Sequence, residues 1–227
     1  MSVNGYFVTG TDTEVGKTWV TAGLIQAMNQ RGVSAVGMKP IASGCYLEGG
    51  ELVSEDADLL AAASPIDVPI EQLNPYRFEP PIAPHLAAKE AAVAIDFSLI
   101  EQRLEQLSSQ AEKVFVEGVG GWMVPLDGEQ TVADLAQQLD LPVILVVGIR
   151  LGCINHALLT VAAIERSGQS LIGWVANCVD SSTSRQQDNI DTLTAMIDAP
   201  CLGIVPEVSE PSLVATHLTS AISLIAE

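Results

Sequence analysis

The chain has 227 residues, 48% of them hydrophobic, enough apolar side chains for a sizeable core in one large α/β domain or two small ones. Its 28 acidic and 10 basic residues leave a formal net charge of −18, which repels nucleic acid phosphates and acidic lipid surfaces unless basic residues gather on one face, and no gathering is visible. No apolar run approaches the roughly 18 residues that span a bilayer.

The opening residues, MSVNGYFVTG, lack a basic start followed by an apolar block, so a soluble, cytoplasmic protein is expected, with neither membrane nor nucleic acid as partner. Cys45, Cys153, Cys178 and Cys201 stand far apart without a C-x-x-C pair, which predicts neither a disulfide framework nor a zinc site. No repeat, low-complexity tract or linker divides the chain, and residues 1–227 are read as a single domain.

In chain order, the first strand-like run is GYFVT at 5–9, followed by GTDTEVGKT at 10–18 and a helical stretch from Trp19. A phosphate-binding loop has four residues between its first glycine and the Gly-Lys pair. Here five lie between Gly10 and Gly16, and Thr11 takes the place of that glycine. A phosphate cradle needs inward-pointing N–H groups, a glycine for close approach, a lysine and a hydroxyl beside it for magnesium. Gly16, Lys17 and Thr18 supply the last three, and the N-terminus of the following helix faces the same point.

The next run, 34–39, ends in Lys39, one of only four lysines in this acidic chain. Asp56 and Asp58 in SEDADLL begin a helix and offer carboxylates for a metal-bound water, although acids at a helix start are common for electrostatic reasons alone. The Pro-rich section NPYRFEPPIAPH, 74–85, reads as a rigid surface connection. Phe97, Ile100, Leu104 and Leu107 keep helical spacing before the strand-like run 113–117. That run ends in Glu117 and is followed by Gly118-Val119-Gly120-Gly121; an acid at a buried strand end calls for a cation.

Val132, Leu135, Ala136 and Leu139 continue the helical pattern, and 142–148 (PVILVVG) is apolar at every position, as expected of a parallel strand covered on both faces. The stretch Leu151-Gly152-Cys153-Ile154-Asn155 then starts a helix whose free N–H groups suit a carboxylate, with Ile154, Ala157, Leu158, Val161 and Ile164 at helical spacing. Further strand-like runs occupy 171–177 and 201–205. This alternation predicts βαβ crossovers, and the fold class is α/β: a doubly wound, mainly parallel sheet flanked by helices, with its ligand site beyond the carboxyl ends of the strands.

Together, GTDTEVGKT, GMKPIASG at 37–44, EGVGGWMVPL at 117–126, VILVVGIRLGCINHALLT at 143–160 and GWVAN at 173–177 resemble the dethiobiotin synthetase family, from Gly5 to about Pro206. The resemblance accounts for the unusual loop, since the family's phosphate loop carries the same threonine and extra residue. It implies a P-loop NTPase fold and an ATP- and magnesium-dependent ligase joining CO2 to 7,8-diaminononanoate. The implied course runs through a carbamate and a carbamic-phosphoric mixed anhydride to a cyclic urea, with ADP and phosphate released.

Site residues carried across by that resemblance are expectations. Lys17 would hold the β- and γ-phosphates, Lys39 the carbamate and the transferring phosphoryl, and Thr11 and Ser43 the diamine or its carbamate. Thr18, Asp56 and Glu117 would organise magnesium. Glu14, Val15, Gly16 and Trp19 of the loop, Gly118, Val119 and Gly120 after the third run, Asn177 with Cys178, and Pro206, Glu207 and Val208 would surround the nucleotide. Leu151, Gly152, Cys153 and Asn155 would receive the substrate carboxylate across the interface of a homodimer.

Two departures from the family pattern are Arg150, where lysine is frequent, and the loosely matching EVSEPSLVATHL after Pro206. A rival reading, a switch ATPase of related fold, calls for a second lysine early in the loop, where this chain has Asp12. A non-catalytic binding module leaves Lys39 and Ser43 unexplained, and a larger amidoligase calls for a glutamine-handling domain for which there is no room.

Overall fold

The six strand-like runs pair side by side in a computed structural model that describes residues 3–225. In chain order the elements are β1 (Gly5–Gly10), α1 (Lys17–Gln30), β2 (Ala35–Met38), β3 (Ile41–Ser43), β4 (Tyr46–Glu48), β5 (Glu51–Val53), α2 (Glu55–Ala63), α3 (Ile70–Leu73), β6 (Tyr76–Phe78) and α4 (Pro84–Glu90). The second half adds α5 (Phe97–Ser108), β7 (Lys113–Gly121), α6 (Val132–Leu139), β8 (Val143–Gly148), α7 (Cys153–Arg166), β9 (Leu171–Asn177), α8 (Gln186–Met196), β10 (Cys201–Val205), a 3-10 helix at Pro211–His217 and α9 (Thr219–Ile225).

The main sheet has the order β10-β9-β8-β1-β7-β2 with every pairing parallel. Successive side chains of a strand face opposite ways, and here both faces are apolar. Phe7, Val116, Val143, Leu145 and Trp174 point to the side covered by α5, α6, α7 and α8, whereas Tyr6, Val8, Phe115, Ile144 and Val175 meet α1, the 3-10 helix and α9. Continuous apolar runs such as VILVV are thus double-sided burial. The connection leaving β1 runs to β2 on one side of the sheet whereas the one leaving its neighbour β7 runs to β8 on the other, so a crevice opens at the carboxyl ends of β1 and β7.

Two expectations change. β7 does not end at Glu117 but runs through the glycines to Gly121, because bare backbone there lies close to the first strand: a side chain at Gly118 would press on the Phe7 ring at 3.1 Å. The Pro-rich section is not only a surface connection. Its first part forms β6, paired in parallel with β3, and its end starts α4 with Pro84 in the first turn, where proline's missing N–H costs nothing. No helix among the described residues is long and apolar enough to cross a membrane.

Candidate active site

Beyond Gly10 the backbone turns sharply, with Glu14 at φ 58° and Gly16 at φ 81°, both in the left-handed region. Gly16 is the N-cap of α1, and a side chain there would stand 2.1 Å from Nδ2 of Asn177. That amide comes from the end of β9 and donates to the Val15 carbonyl at 2.9 Å, tying the loop to the neighbouring strand. Gly16→Ala therefore combines a strained φ with a clash, and the loop or Asn177 must move. The expected result is a loss of ATP affinity of about tenfold or more, read by calorimetry on folded protein; unaltered affinity would count against this loop as the phosphate cradle.

Lys39 lies one residue beyond β2 and is buried. Its Nζ sits 2.6 Å from Glu117 Oε1 and 2.7 Å from Asp56 Oδ2, with Glu117 wholly buried and Asp56 half exposed. Burial pulls the Lys39 ammonium down, but the charges of Glu117 and Asp56 and their hydrogen bonds outweigh it and hold the group above its ordinary value. Burial likewise pushes the Asp56 carboxyl up, and Lys39, with Thr18 and Lys17, more than reverses this and leaves it lowered.

The Thr18 hydroxyl stands 2.8 Å from Asp56 Oδ1 and 2.8 Å from Glu117 Oε1. One hydroxyl proton serves one of those acceptors at a time. Glu117 Oε2, also buried, has no partner. Acceptors thus outnumber donors around this hydroxyl, and all are hard oxygens, a set that fits a magnesium ion keeping several waters. Among the described residues no group of three or more His, Cys, Asp or Glu forms a cage for a metal.

Lys17, in the first turn of α1, donates from Nζ to the Asp12 carbonyl at 2.8 Å. Burial is the largest influence on its ammonium and the neighbouring Lys39 charge acts the same way; Glu117, Asp56 and Asp12 oppose them only in part, and its pKa falls to about 8. A buried cation so poorly compensated is ready for an anion. Asp12 also binds the Arg150 guanidinium at 2.8 Å, joining the loop to the segment after β8.

Lys17, Thr18, Lys39, Asp56 and Glu117 line a cavity of about 690 Å3. Of the residues expected from sequence, Glu14, Gly16, Lys17, Thr18, Trp19, Lys39, Ser43, Asp56, Glu117, Val119 and Gly120 border it. Thr11 does not; it lines a neighbouring hollow of about 420 Å3 with Asp12, Trp122 and Met123, while Thr13, two residues on, borders both. Val15 and Gly118 are buried behind the wall, as is Cys178 after β9. Pro206 and Glu207 are exposed, Val208 is partly covered, and Glu207 accepts from the Ser181 N–H at 2.8 Å. Leu151, Gly152 and Asn155 are exposed at the start of α7, with Cys153 buried beneath them.

Unforeseen from the sequence are Thr13, Glu55, Leu59, Val124 and the cavity wall from Pro81 to Pro84. The available signal was Pro84, which fits a helix start at the end of the Pro-rich section. Ser43 Oγ is buried without a partner and borders the cavity, a hydroxyl free for a ligand.

An AAA-domain family model, AAA_26, matches residues 4–213. ATP-dependent dethiobiotin synthetases are similar over nearly the whole length: that of Aromatoleum aromaticum is 51% identical, covering 94% of this chain and 96% of the relative. One from Pseudomonas aeruginosa is 50% identical over 94% and 95%, and one from Cellvibrio japonicus 48% over 93% of each. Among solved structures, the MinD cell division protein of Aquifex aeolicus superposes with TM-score 0.61 at 15% identity, covering 99% of this chain and 98% of the other. A ParA family ATPase of Chlorobium tepidum gives 0.57 at 14%, covering 99% and 94%. Those two likenesses speak for the fold alone, the P-loop NTPase α/β fold.

Proposed function

This chain belongs to the ATP-dependent dethiobiotin synthetase family, an ATP-dependent ligase of biotin biosynthesis, and we propose that the single domain performs ring closure in the cavity shared by Lys17 and Lys39. The supporting observation is the pairing of two buried ammonium groups with the Thr18, Asp56 and Glu117 oxygens at the carboxyl ends of β1, β2 and β7.

One amine of 7,8-diaminononanoate attacks the carbon of CO2 and loses a proton, giving a carbamate. A carbamate oxygen then attacks the γ-phosphorus of ATP as the bond to ADP breaks, forming the mixed anhydride. The second amine attacks the carbonyl carbon, phosphate leaves with the C–O bonding pair, and the cyclic urea closes. Each stage gathers negative charge, so preorganised cations are the main lever.

Lys17 holds the β- and γ-phosphates, which restores the charge that burial weakens. Lys39 neutralises the carbamate and the phosphoryl in transit, fixed in place by its acidic partners. The Ser43 hydroxyl positions the diamine or its carbamate, with Thr13 of the phosphate loop lining the same cavity. Thr11, two residues before Thr13, contacts the diamine only if the substrate reaches the neighbouring hollow. Thr18, Asp56 and Glu117 would hold a magnesium ion, which would supply charge neutralisation to the nucleotide.

Glu14 lies over the nucleotide, Asn177 reads adenine while bracing Val15, and Pro206-Glu207-Val208 form its outer rim. The exposed start of α7 in a second copy, with the Asn155 side-chain amide as donor, takes the substrate carboxylate, making the working unit a cytoplasmic homodimer. Asn155→Ala should then raise the KM for the diamine several-fold, on the order of 1 kcal/mol, with ATP affinity little changed; an unaltered KM would count against that subsite. The reaction itself is tested by supplying diamine, bicarbonate, ATP and magnesium, omitting each in turn, and looking for the cyclic urea by mass spectrometry. Its absence from the complete mixture would overturn this reading.

A further inference from the structure

Asn74 is fully buried and has no part in the chemistry above. It caps α3 and precedes Pro75, a neighbour that bars helical geometry, and its φ of −137° and ψ of 76° lie outside the helix. Its side-chain amide donates to the Lys39 carbonyl at 2.5 Å and to the Tyr76 carbonyl at 3.3 Å. Both neighbours are acceptors, so the NH2 end must face them. That leaves Oδ1 buried with no partner. An apolar side chain of the same size would fill this space and leave no stranded Oδ1, but it would take the donor away from the Lys39 carbonyl, so packing alone does not account for asparagine.

The same segment grips Lys39 from its other side. The Lys39 N–H donates to the Leu73 carbonyl at 2.8 Å, and the Tyr76 N–H to the Pro40 carbonyl at 3.1 Å. β2 ends just before Lys39, and Pro40 has no N–H to give. Without the Asn74 amide, the Lys39 carbonyl would be left with no donor from this segment.

We propose that Asn74 is a positioning residue for Lys39, clamping its carbonyl so that a flexible four-carbon side chain delivers Nζ to one place between Asp56 and Glu117. The proposal rests on the reading of Lys39 as the phosphoryl-transfer cation. Displacement of a catalytic group by about 1 Å is enough to cost turnover heavily while substrate binding elsewhere is untouched.

The test compares Asn74→Leu, Asn74→Asp and Lys39→Ala with the parent, each checked for folding by circular dichroism. Turnover is measured with all substrates saturating, and ATP affinity by calorimetry. Asn74→Leu should lower kcat about tenfold or more, with the Kd for ATP within about twofold of the parent. Asn74→Asp can donate to the Lys39 carbonyl only while protonated, and burial beside two carbonyl oxygens favours the neutral form. Its kcat relative to the parent should therefore be highest at low pH and fall as pH rises.

Full turnover by Lys39→Ala would remove the premise and this inference together. Lys39→Ala inactive beside a folded Asn74→Leu with parental kcat, or with a kcat loss matched by lost ATP affinity, would overturn the Asn74 role alone. Should the leucine variant fail to fold, a pH-independent ratio of Asn74→Asp to parent turnover would overturn it.

Discussion

Lys39→Ala should lose roughly a thousand-fold in turnover while binding ATP nearly as well as the parent. The asymmetry follows from where the charge sits. Lys39 comes off β2 and is enclosed by Asp56 and Glu117, whereas Lys17, on the phosphate loop, is placed for the resting nucleotide. Charge placed where a phosphoryl group is transferred stabilises the transition state more than the ground state, and single cationic contributions of this kind are worth about 10^3 or more in rate.

A second signature separates this from simple damage. Removing Lys39 takes from Glu117, wholly buried, its contacting counter-ion and leaves only the Lys17 charge to act on it, and breaking a buried pair in this way costs about 3–5 kcal/mol. The metal-free variant should melt well below the parent, and added magnesium should recover more stability in the variant than in the parent. Thermal melts with and without the metal read this directly. Parental kcat would refute the catalytic assignment, and equal metal responses would refute the shared-carboxylate site.

How much of this was legible in the sequence differs between the two halves of the site. The phosphate loop was readable because its chemistry is local: Gly16, Lys17 and Thr18 are adjacent, and the strand before and helix after are long enough to show their periods. Lys39 and Glu117 were readable as charged residues ending apolar runs. Their contact, across 78 residues of chain, was not, because it depends on the parallel pairing of β2 with β7.

The region from Ile41 to Glu90 was nearly opaque. β3, β4, β5 and β6 have three residues each, too few to display an alternation, and β3 and β6 find each other only after the chain has made α2 and α3. Proline density there suggested a surface connection and did not show that the segment would form β6, start α4 and wall the cavity. Asn74 gave no signal either. An asparagine before proline reads as turn chemistry, and only the folded position of Lys39 shows that its amide faces inward.

For Lys17→Ala the expected result is a Kd for ATP about a hundredfold higher, close to 2.7 kcal/mol, with most of the remaining turnover recoverable at high nucleotide. Lys17 is buried with only a backbone carbonyl as direct partner, and its pKa near 8 reflects burial and the Lys39 charge. Phosphate oxygens at that site favour the ammonium, so binding ATP raises the pKa again. Below about pH 8 free Lys17 already carries its proton, and binding takes up none there. Above pH 8 the free protein has lost it and must regain it on binding, so affinity should fall by up to tenfold per pH unit until the bound form also titrates. Lys39, held above its ordinary value, stays charged through that range and adds nothing to the slope. Calorimetry in two buffers of different ionisation enthalpy, at about pH 7 and pH 9, should therefore show proton uptake by the parent only at the higher pH, and in Lys17→Ala at neither. Equal uptake by parent and variant at the higher pH would assign the proton to another group and remove Lys17 from the phosphate contact.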